Sequence, residues 1–222
     1  MATQIANQVK YANLQLAAEA FFLEKTARAG DVRESSFITV PELKEGNTRS
    51  SKFTAEAAAE FALDWEIVEH QANTSTGFSG TLFRALRTDE ARGILAGELV
   101  MSFRSTEFLD DSARDNQATN TLEIKEFGWA FGQMADMENW YAHLKSTGKI
   151  GLEDRFSLTG YSLGGHLATA CACKKHTAAR SLKRSICYKN SSCLRNIYKR
   201  CSPKTLVKTT QTEGKYARTK LC

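Results

Sequence analysis

The segment RFSLTGYSLGGHLATA, residues 155–170, decides the fold prediction. Its first six residues are typical of a strand, and the residues from Leu163 onward are typical of a helix. Between the two, Gly160, Ser162 and Gly164 form the pattern GxSxG. A nucleophilic serine is held in this context, on a sharp turn from a strand into a helix. We therefore predict a nucleophile elbow at Ser162.

Glycines suit this turn because side chains beside the serine would clash with the backbones packed around it. The turn directs the backbone N–H of Leu163 toward an oxygen held near Ser162, and the positive end of the new helix lies there. The alternative is an ordinary strand-glycine-helix turn. The strand before the motif and the extra Gly165 after it favour the elbow.

Upstream of the elbow the sequence predicts a βαβ unit. The segments GFSGTLFRAL (77–86) and GELVMSFRS (97–105) are glycine-bounded runs of strand formers, separated by a turn or excursion, RTDEARGILAG. A long polar stretch and a helix then precede the strand RFSLTG, so two parallel strands are expected. The helix is predicted to end at Gly148, and we interpret its apolar stripe as core packing rather than a cofactor site. The stripe consists of Phe127, Phe131, Met134, Trp140, Tyr141 and Leu144.

Two further helices are predicted near the start of the chain. Apolar residues recur at helical spacing from Ile5 to about Glu24. The second helix covers FTAEAAAEFALDWEIV (53–68), where Ala and Glu dominate and Thr54 is the expected N-cap. The residues between these two helices are predicted to be loop or short elements.

Two motifs together resemble the class 3 (fungal-type) lipases of the α/β-hydrolase superfamily. The segment FSLTGYSLGGHLATA is similar to the family's elbow, which usually reads TGHSLGG, with Tyr161 in place of the common histidine. The segment GELVMSFRSTEF is similar to the family's strand that ends in FRG followed by Ser or Thr. Here Ser105 replaces that glycine, a departure that we expect to narrow the approach to the oxyanion. The resemblance runs from about residue 77 to residue 170, and less specifically back through SKFTAEAAAEFALDW.

The resemblance implies a partial α/β-hydrolase fold, from its N-terminal strands through the elbow, and hydrolysis of lipid or other hydrophobic carboxylic esters. Ser162 would form an acyl-enzyme, while the N–H groups of Thr106 and Leu163 would hold the oxyanion. A mobile lid would lie within 109–126. We expect no cofactor and no metal. Proteolysis or acyl transfer on the same elbow stays open, because a fold and a nucleophile do not fix the acceptor.

The sequence after the elbow lacks the partners that such a serine needs. In α/β-hydrolases an Asp or Glu and then a His follow the nucleophile, each on a later strand. After Ser162 there is no aspartate, the sole acid is Glu213, and the histidines are His166 and His176. Both histidines lie close behind the elbow, and we interpret them as ordinary helix residues. The chain as written is therefore predicted to lack a base and to be inactive.

Composition divides the chain at Ala170. Residues 1–170 carry 16 Lys and Arg against 24 Asp and Glu, a formal charge of −8, whereas residues 171–222 carry 14 against one, a formal charge of +13. All six cysteines lie in the second part. We predict an incomplete lipase-like domain over 1–170 and a basic, Cys-rich tail over 171–222 that is disordered or out of frame.

Four explanations for this tail remain open. We favour a reading-frame shift near Ala170, because composition, charge and cysteine use change together within a helix. The second is a basic tail that binds nucleic acid or an anionic membrane, although no recognised nucleic-acid motif is present. The third is a cysteine-based element, which the lack of a CxxC pair and the cysteine-free first part disfavour. The fourth is a truncated, non-catalytic hydrolase relative.

The sequence also limits where the protein acts. No apolar run approaches the roughly 20 residues that a membrane span needs. The start, MATQIANQVKYANLQLAAEA, has no basic region leading into an apolar segment, so no cleavable signal peptide is predicted. We expect a cytoplasmic protein or one exported by a non-classical route. Its expected partners are an ester substrate and, through the tail, polyanions bound without specificity.

Overall fold

A computed structural model of the chain describes residues 4–23, 28, 30–47, 52–105, 130–151, 154–180 and 207–209, and gives the side chains of these up to residue 172. The strands form one six-stranded sheet whose order follows the chain. They are β1 (Val32–Phe37), β2 (Trp65–Gln71), β3 (Gly80–Ala85), β4 (Leu99–Phe103), β5 (Phe156–Gly160) and β6 (Val207–Thr209). The helices are α1 (Gln4–Ala18), α2 (Val40–Glu45), α3 (Ala55–Asp64), α4 (Phe131–Ser146) and α5 (Leu163–Arg180).

The sheet is mixed and has helices on both faces, which is an α/β architecture. Strands β1 to β4 pair antiparallel, whereas β4–β5 and β5–β6 pair parallel. The predicted strands β3, β4 and β5 are thus confirmed. The parallel pairing of β4 with β5 around α4 also confirms the predicted βαβ unit.

Two apolar cores lie on the two faces of the sheet. In β4, Met101 and Phe103 belong to the core under α4 and α5, whereas Val100 belongs to the core under α1 and α3. This alternation follows from the two-residue period of a strand buried on both faces. Within α4, Trp140 packs against Phe78 and Phe103, and the predicted core role is confirmed for Met134, Trp140 and Leu144. It is wrong for Phe131, which lies in the first turn of α4 and is 48% exposed. Residue 127 of that stripe lies outside the described residues.

The prediction of a helix over 53–68 is correct for its first part and wrong for its last four residues. Thr54 is the N-cap and accepts the N–H of Ala57 at 3.2 Å, as the sequence predicts. The helix ends at Asp64, however, and WEIV continues as strand β2, paired with β1 on one side and β3 on the other. Aromatic and β-branched residues favour a strand, and pairing on both edges outweighs the helical preference of the preceding alanines.

One further prediction near the start is corrected, and another is confirmed. Helix α1 ends at Ala18 rather than near Glu24, and the buried guanidinium of Arg104 donates to the carbonyl oxygens of Ala18 and Ala20 there. The stretch predicted as loop or short elements contains β1 and α2. Helix α2 begins with a capping box between Thr39 and Glu42, which follows from their sequence spacing.

The composition boundary at Ala170 falls inside helix α5. Cys171 and Ala172, the first residues beyond the boundary, are both buried. Strand β6 adds three residues of the basic tail to the edge of β5. The other predictions for the tail, and the predicted lid in 109–126, lie outside the described residues. No described helix combines the length and the apolar character that a bilayer span requires.

Candidate active site

The backbone at Ser162 is strained in the way that an elbow requires. Ser162 has a φ of +51°, and among the described residues it is the one non-glycine residue with a positive φ. This conformation brings Cβ close to neighbouring backbone atoms and costs of order 1–3 kcal/mol. The side chain of Ser162 is exposed to solvent. A strained and accessible serine between β5 and α5 is the local geometry that the GxSxG pattern predicts.

The two glycines of the motif occupy positions where no side chain fits. A Cβ at Gly160 would lie 2.3 Å from the carbonyl oxygen of Gly164. A Cβ at Gly164 would lie 2.2 Å from the carbonyl oxygen of Phe103 and 2.8 Å from that of Arg104. The prediction that both glycines allow close backbone packing is therefore confirmed. Gly164 in addition places the start of α5 directly against the end of β4.

Helix α5 begins immediately after the serine. The N–H of His166 donates to the carbonyl oxygen of Ser162 at 3.1 Å, which is the first hydrogen bond of the helix. Leu163 is the first helical residue and its side chain is buried. Its N–H is among the four at a helix start that have no partner within the helix. The predicted oxyanion donor is thus at the elbow, at the positive end of α5.

The end of strand β4 lies beside the elbow. Phe103 of β4 pairs with Gly160 of β5, so the carboxyl ends of the two strands meet at one edge of the sheet. Arg104 and Ser105 follow at this edge, which brings the two sequence motifs together. Thr106, the second predicted oxyanion donor, lies outside the described residues.

Sequence reasoning assigned no role to two residues behind this edge. Glu19 is 3% exposed and accepts the backbone N–H of Ser105 at 2.8 Å. Arg104, 5% exposed, donates to the carbonyl oxygen of Ala20 at 2.7 Å and lies over the ring of Phe21. No sequence signal marked Glu19, because the predicted helix continued past it to about Glu24, whereas α1 ends at Ala18.

The described histidine side chains all have hydrogen-bond partners away from Ser162. The ring of His166 accepts the N–H of Ala130 at 3.4 Å, and burial lowers the pKa of this ring. His70 of β2 is hydrogen-bonded to Thr81 of the neighbouring strand β3, and His143 of α4 is hydrogen-bonded to Glu69 of β2. His176 lies on α5, but its side chain and Glu213 are outside the described part of the chain. The described residues therefore bring Ser162 and the N–H of Leu163 together, and none of the described histidine side chains is hydrogen-bonded to Ser162.

The described residues also include no group of three His, Cys, Asp or Glu side chains that could hold a metal ion. Comparisons with protein-family models, with curated proteins and with solved structures gave no match to this chain. A functional assignment therefore rests on the geometry around Ser162.

Proposed function

We propose that the chain carries the nucleophile elbow of a serine hydrolase of the class 3 lipase type, with an α/β-hydrolase fold. The observation that carries the proposal is the positive φ of Ser162 between two glycines that admit no Cβ. An ordinary turn does not need a strained, exposed serine. Such strain is found where a side chain must be presented to a substrate.

The reaction would be hydrolysis of a hydrophobic carboxylic ester. The Oγ of Ser162 attacks the carbonyl carbon, and the negative charge that develops on the carbonyl oxygen is held by backbone N–H groups. Leu163 supplies one of these at the start of α5, and each such donor is worth about 3 kcal/mol in the transition state. The ester bond breaks to release the alcohol, and water then cleaves the acyl-enzyme.

Removal of the proton from Ser162 is the step that the described residues support least. A serine hydroxyl needs a base within hydrogen-bond reach. His166, the nearest histidine along the chain, accepts the N–H of Ala130 instead. We therefore propose that hydrolysis by this chain is slow compared with that by a complete Ser-His-Asp site.

Hydrolysis of p-nitrophenyl esters of increasing acyl length tests this function. The parent protein and its Ser162→Ala variant are compared at the same concentration. We expect both to fold, so a difference in rate reports on the hydroxyl of Ser162. The proposal predicts a slow release of p-nitrophenol that is lost in the variant and rises from acetate to octanoate. Equal rates for the two proteins across the series would contradict an esterase function.

The composition of residues 171–222 supports a second candidate, a non-catalytic hydrolase relative whose tail binds polyanions. This segment carries 14 Lys and Arg and one acid. Contacts between these side chains and phosphate or sulfate release counterions, so binding would weaken steeply as salt rises. Heparin retention at about 50 mM salt that is lost when the Lys and Arg of 181–222 become Gln would support it. Equal retention of both proteins would exclude it.

A frame shift near Ala170 makes a different prediction for the same segment. Sequencing the coding DNA across codons 160–222 and beyond, with translation in all three frames, tests it. The shift predicts another frame that continues α5 and later supplies an Asp and a His. If no other frame does so, residues 171–222 are the native continuation and the site lacks its base.

A further inference from the structure

The peptide unit between Arg104 and Ser105 is hydrogen-bonded through its N–H and closely packed at its carbonyl oxygen. Its carbonyl oxygen lies against the elbow, 2.8 Å from where a Cβ of Gly164 would be. Its N–H, which belongs to Ser105, donates to Oε1 of Glu19 at 2.8 Å. The C=O and N–H of a planar trans peptide point in opposite directions. Contacts at both ends therefore restrict rotation of the unit.

Glu19 occupies a position that is unfavourable for a carboxylate. It follows Ala18, the last residue of α1, where the partial negative charge of the helix end repels an acid. It is also 3% exposed, and a buried carboxylate costs free energy unless it accepts hydrogen bonds. Two donors lie around Oε1, the side-chain amide of Gln15 at 2.5 Å and the N–H of Ser105 at 2.8 Å. The loop after β4 thus helps to compensate the burial of this acid.

A second connection joins the same two segments, here from a side chain after β4 to the backbone at the end of α1. The Nη2 of Arg104 donates to the carbonyl oxygen of Ala20 at 2.7 Å, and its guanidinium lies 4.8 Å from the ring centre of Phe21. The carbonyl groups at a helix end lack partners within the helix, so a guanidinium is a suitable donor there. The end of α1 and the loop after β4 therefore hold each other through side chains from both.

We infer that Glu19 is a positioning residue for the elbow at Ser162. By accepting the N–H of Ser105, it fixes the Arg104–Ser105 peptide unit, whose carbonyl oxygen packs against Gly164 at the start of α5. This inference rests on the proposed function. Oxyanion donors stabilise a transition state because they are oriented beforehand, and a misplacement of about 1 Å can cost roughly 100-fold in rate.

The experiment compares Glu19→Ala with Glu19→Gln in the full chain, and Glu98→Ala is the control. Gln keeps an acceptor oxygen and Ala does not. Glu98 accepts from Lys10 of α1 at 2.8 Å, so its loss loosens α1 without touching Ser105. Two quantities are measured: amide hydrogen exchange at Ser105, and the rate at which a fluorophosphonate labels Ser162.

Glu19→Ala should speed exchange at Ser105 about tenfold or more and slow labelling of Ser162 by about tenfold. Glu19→Gln and Glu98→Ala should both stay within about threefold of the parent. Unchanged exchange at Ser105 in Glu19→Ala would overturn the inference, as would faster exchange with unchanged labelling. If the parent's Ser162 takes no label, the proposed function fails. Exchange at Ser105 then decides separately whether Glu19 fixes this peptide unit.

Discussion

A Cβ placed on Gly164 would lie 2.2 Å from the carbonyl oxygen of Phe103, far inside van der Waals contact. The first turn of α5 therefore packs backbone to backbone on the end of β4. This contact joins the two sequence motifs that the lipase resemblance depends on. It also makes the geometry around Ser162 sensitive to single methyl groups.

Gly164→Ala is expected to lower the free energy of unfolding by about 3 kcal/mol or more, because the backbone of β4 must move to admit the methyl group. Gly148→Ala is the matched control. Gly148 has a φ of +71° but nothing within 4 Å of a Cβ, so its loss should cost only about 1 kcal/mol of conformational strain. Chemical denaturation measures both. Equal losses of unfolding free energy in the two variants would contradict the close packing of Gly164 against β4.

The strain at Ser162 predicts an unusual order of stability between two substitutions at this position. Ser162→Gly should be more stable than Ser162→Ala by about 1 kcal/mol, since only glycine adopts a positive φ without a Cβ clash. Both variants lack the hydroxyl, so its interactions do not enter the comparison. Thermal or urea unfolding gives the difference. A Ser162→Ala protein at least as stable as Ser162→Gly would argue against an elbow.

Glu69 is a buried carboxylate whose loss should be costly. It has no solvent exposure and accepts the indole N–H of Trp140 at 2.6 Å as well as the ammonium of Lys149. Glu69→Ala leaves both donors without this acceptor, and we expect a loss of about 3 kcal/mol of unfolding free energy. Glu66→Ala on the same strand is the control, because its partner Arg84 is half exposed and the pair should be worth about 1 kcal/mol or less. Similar losses from urea denaturation would contradict this.

His70 predicts a loss of stability in acid. Burial, together with the positive charges of Arg104 and Arg33, lowers the pKa of His70 well below its ordinary value. The folded state keeps the ring neutral, whereas the unfolded chain binds a proton below about pH 6.5. Stability should therefore be full above that pH and fall as the pH decreases.

Denaturation of the parent and of His70→Gln at pH 7.5 and pH 5 measures this effect. Glutamine of similar size cannot gain a proton, so the variant should lose less stability on acidification. Part of the acid dependence should remain, because burial also lowers the pKa of His166. An identical change in unfolding free energy for the two proteins would rule out His70 as a source.

The parts of the fold that were predicted are those encoded by neighbouring residues. The Thr54 cap and the glycine-bounded strands depend on local backbone preferences, and the turn at Ser162 is marked by the spacing of its two glycines. Strand β2 was missed because WEIV follows an alanine-rich helix without a glycine or proline to mark the change. Its state depends on pairing with two strands distant in sequence.

In the candidate site, too, only the features encoded by neighbouring residues were predicted. The spacing of Gly160, Ser162 and Gly164 is local, so the sequence shows it directly. The bond from Ser105 to Glu19 spans 86 residues and has no sequence pattern of its own. Only the fold brings the end of α1 to the end of β4.

Covalent labelling is the direct test of Ser162 as a nucleophile. A fluorophosphonate is incubated with the parent and with Ser162→Ala, and the modified peptide is located by mass spectrometry. We expect a phosphorus–oxygen bond to Ser162 with loss of fluoride, slow compared with a complete serine hydrolase, and no label in the variant. Equal labelling of the two proteins, or label at other residues only, would contradict it.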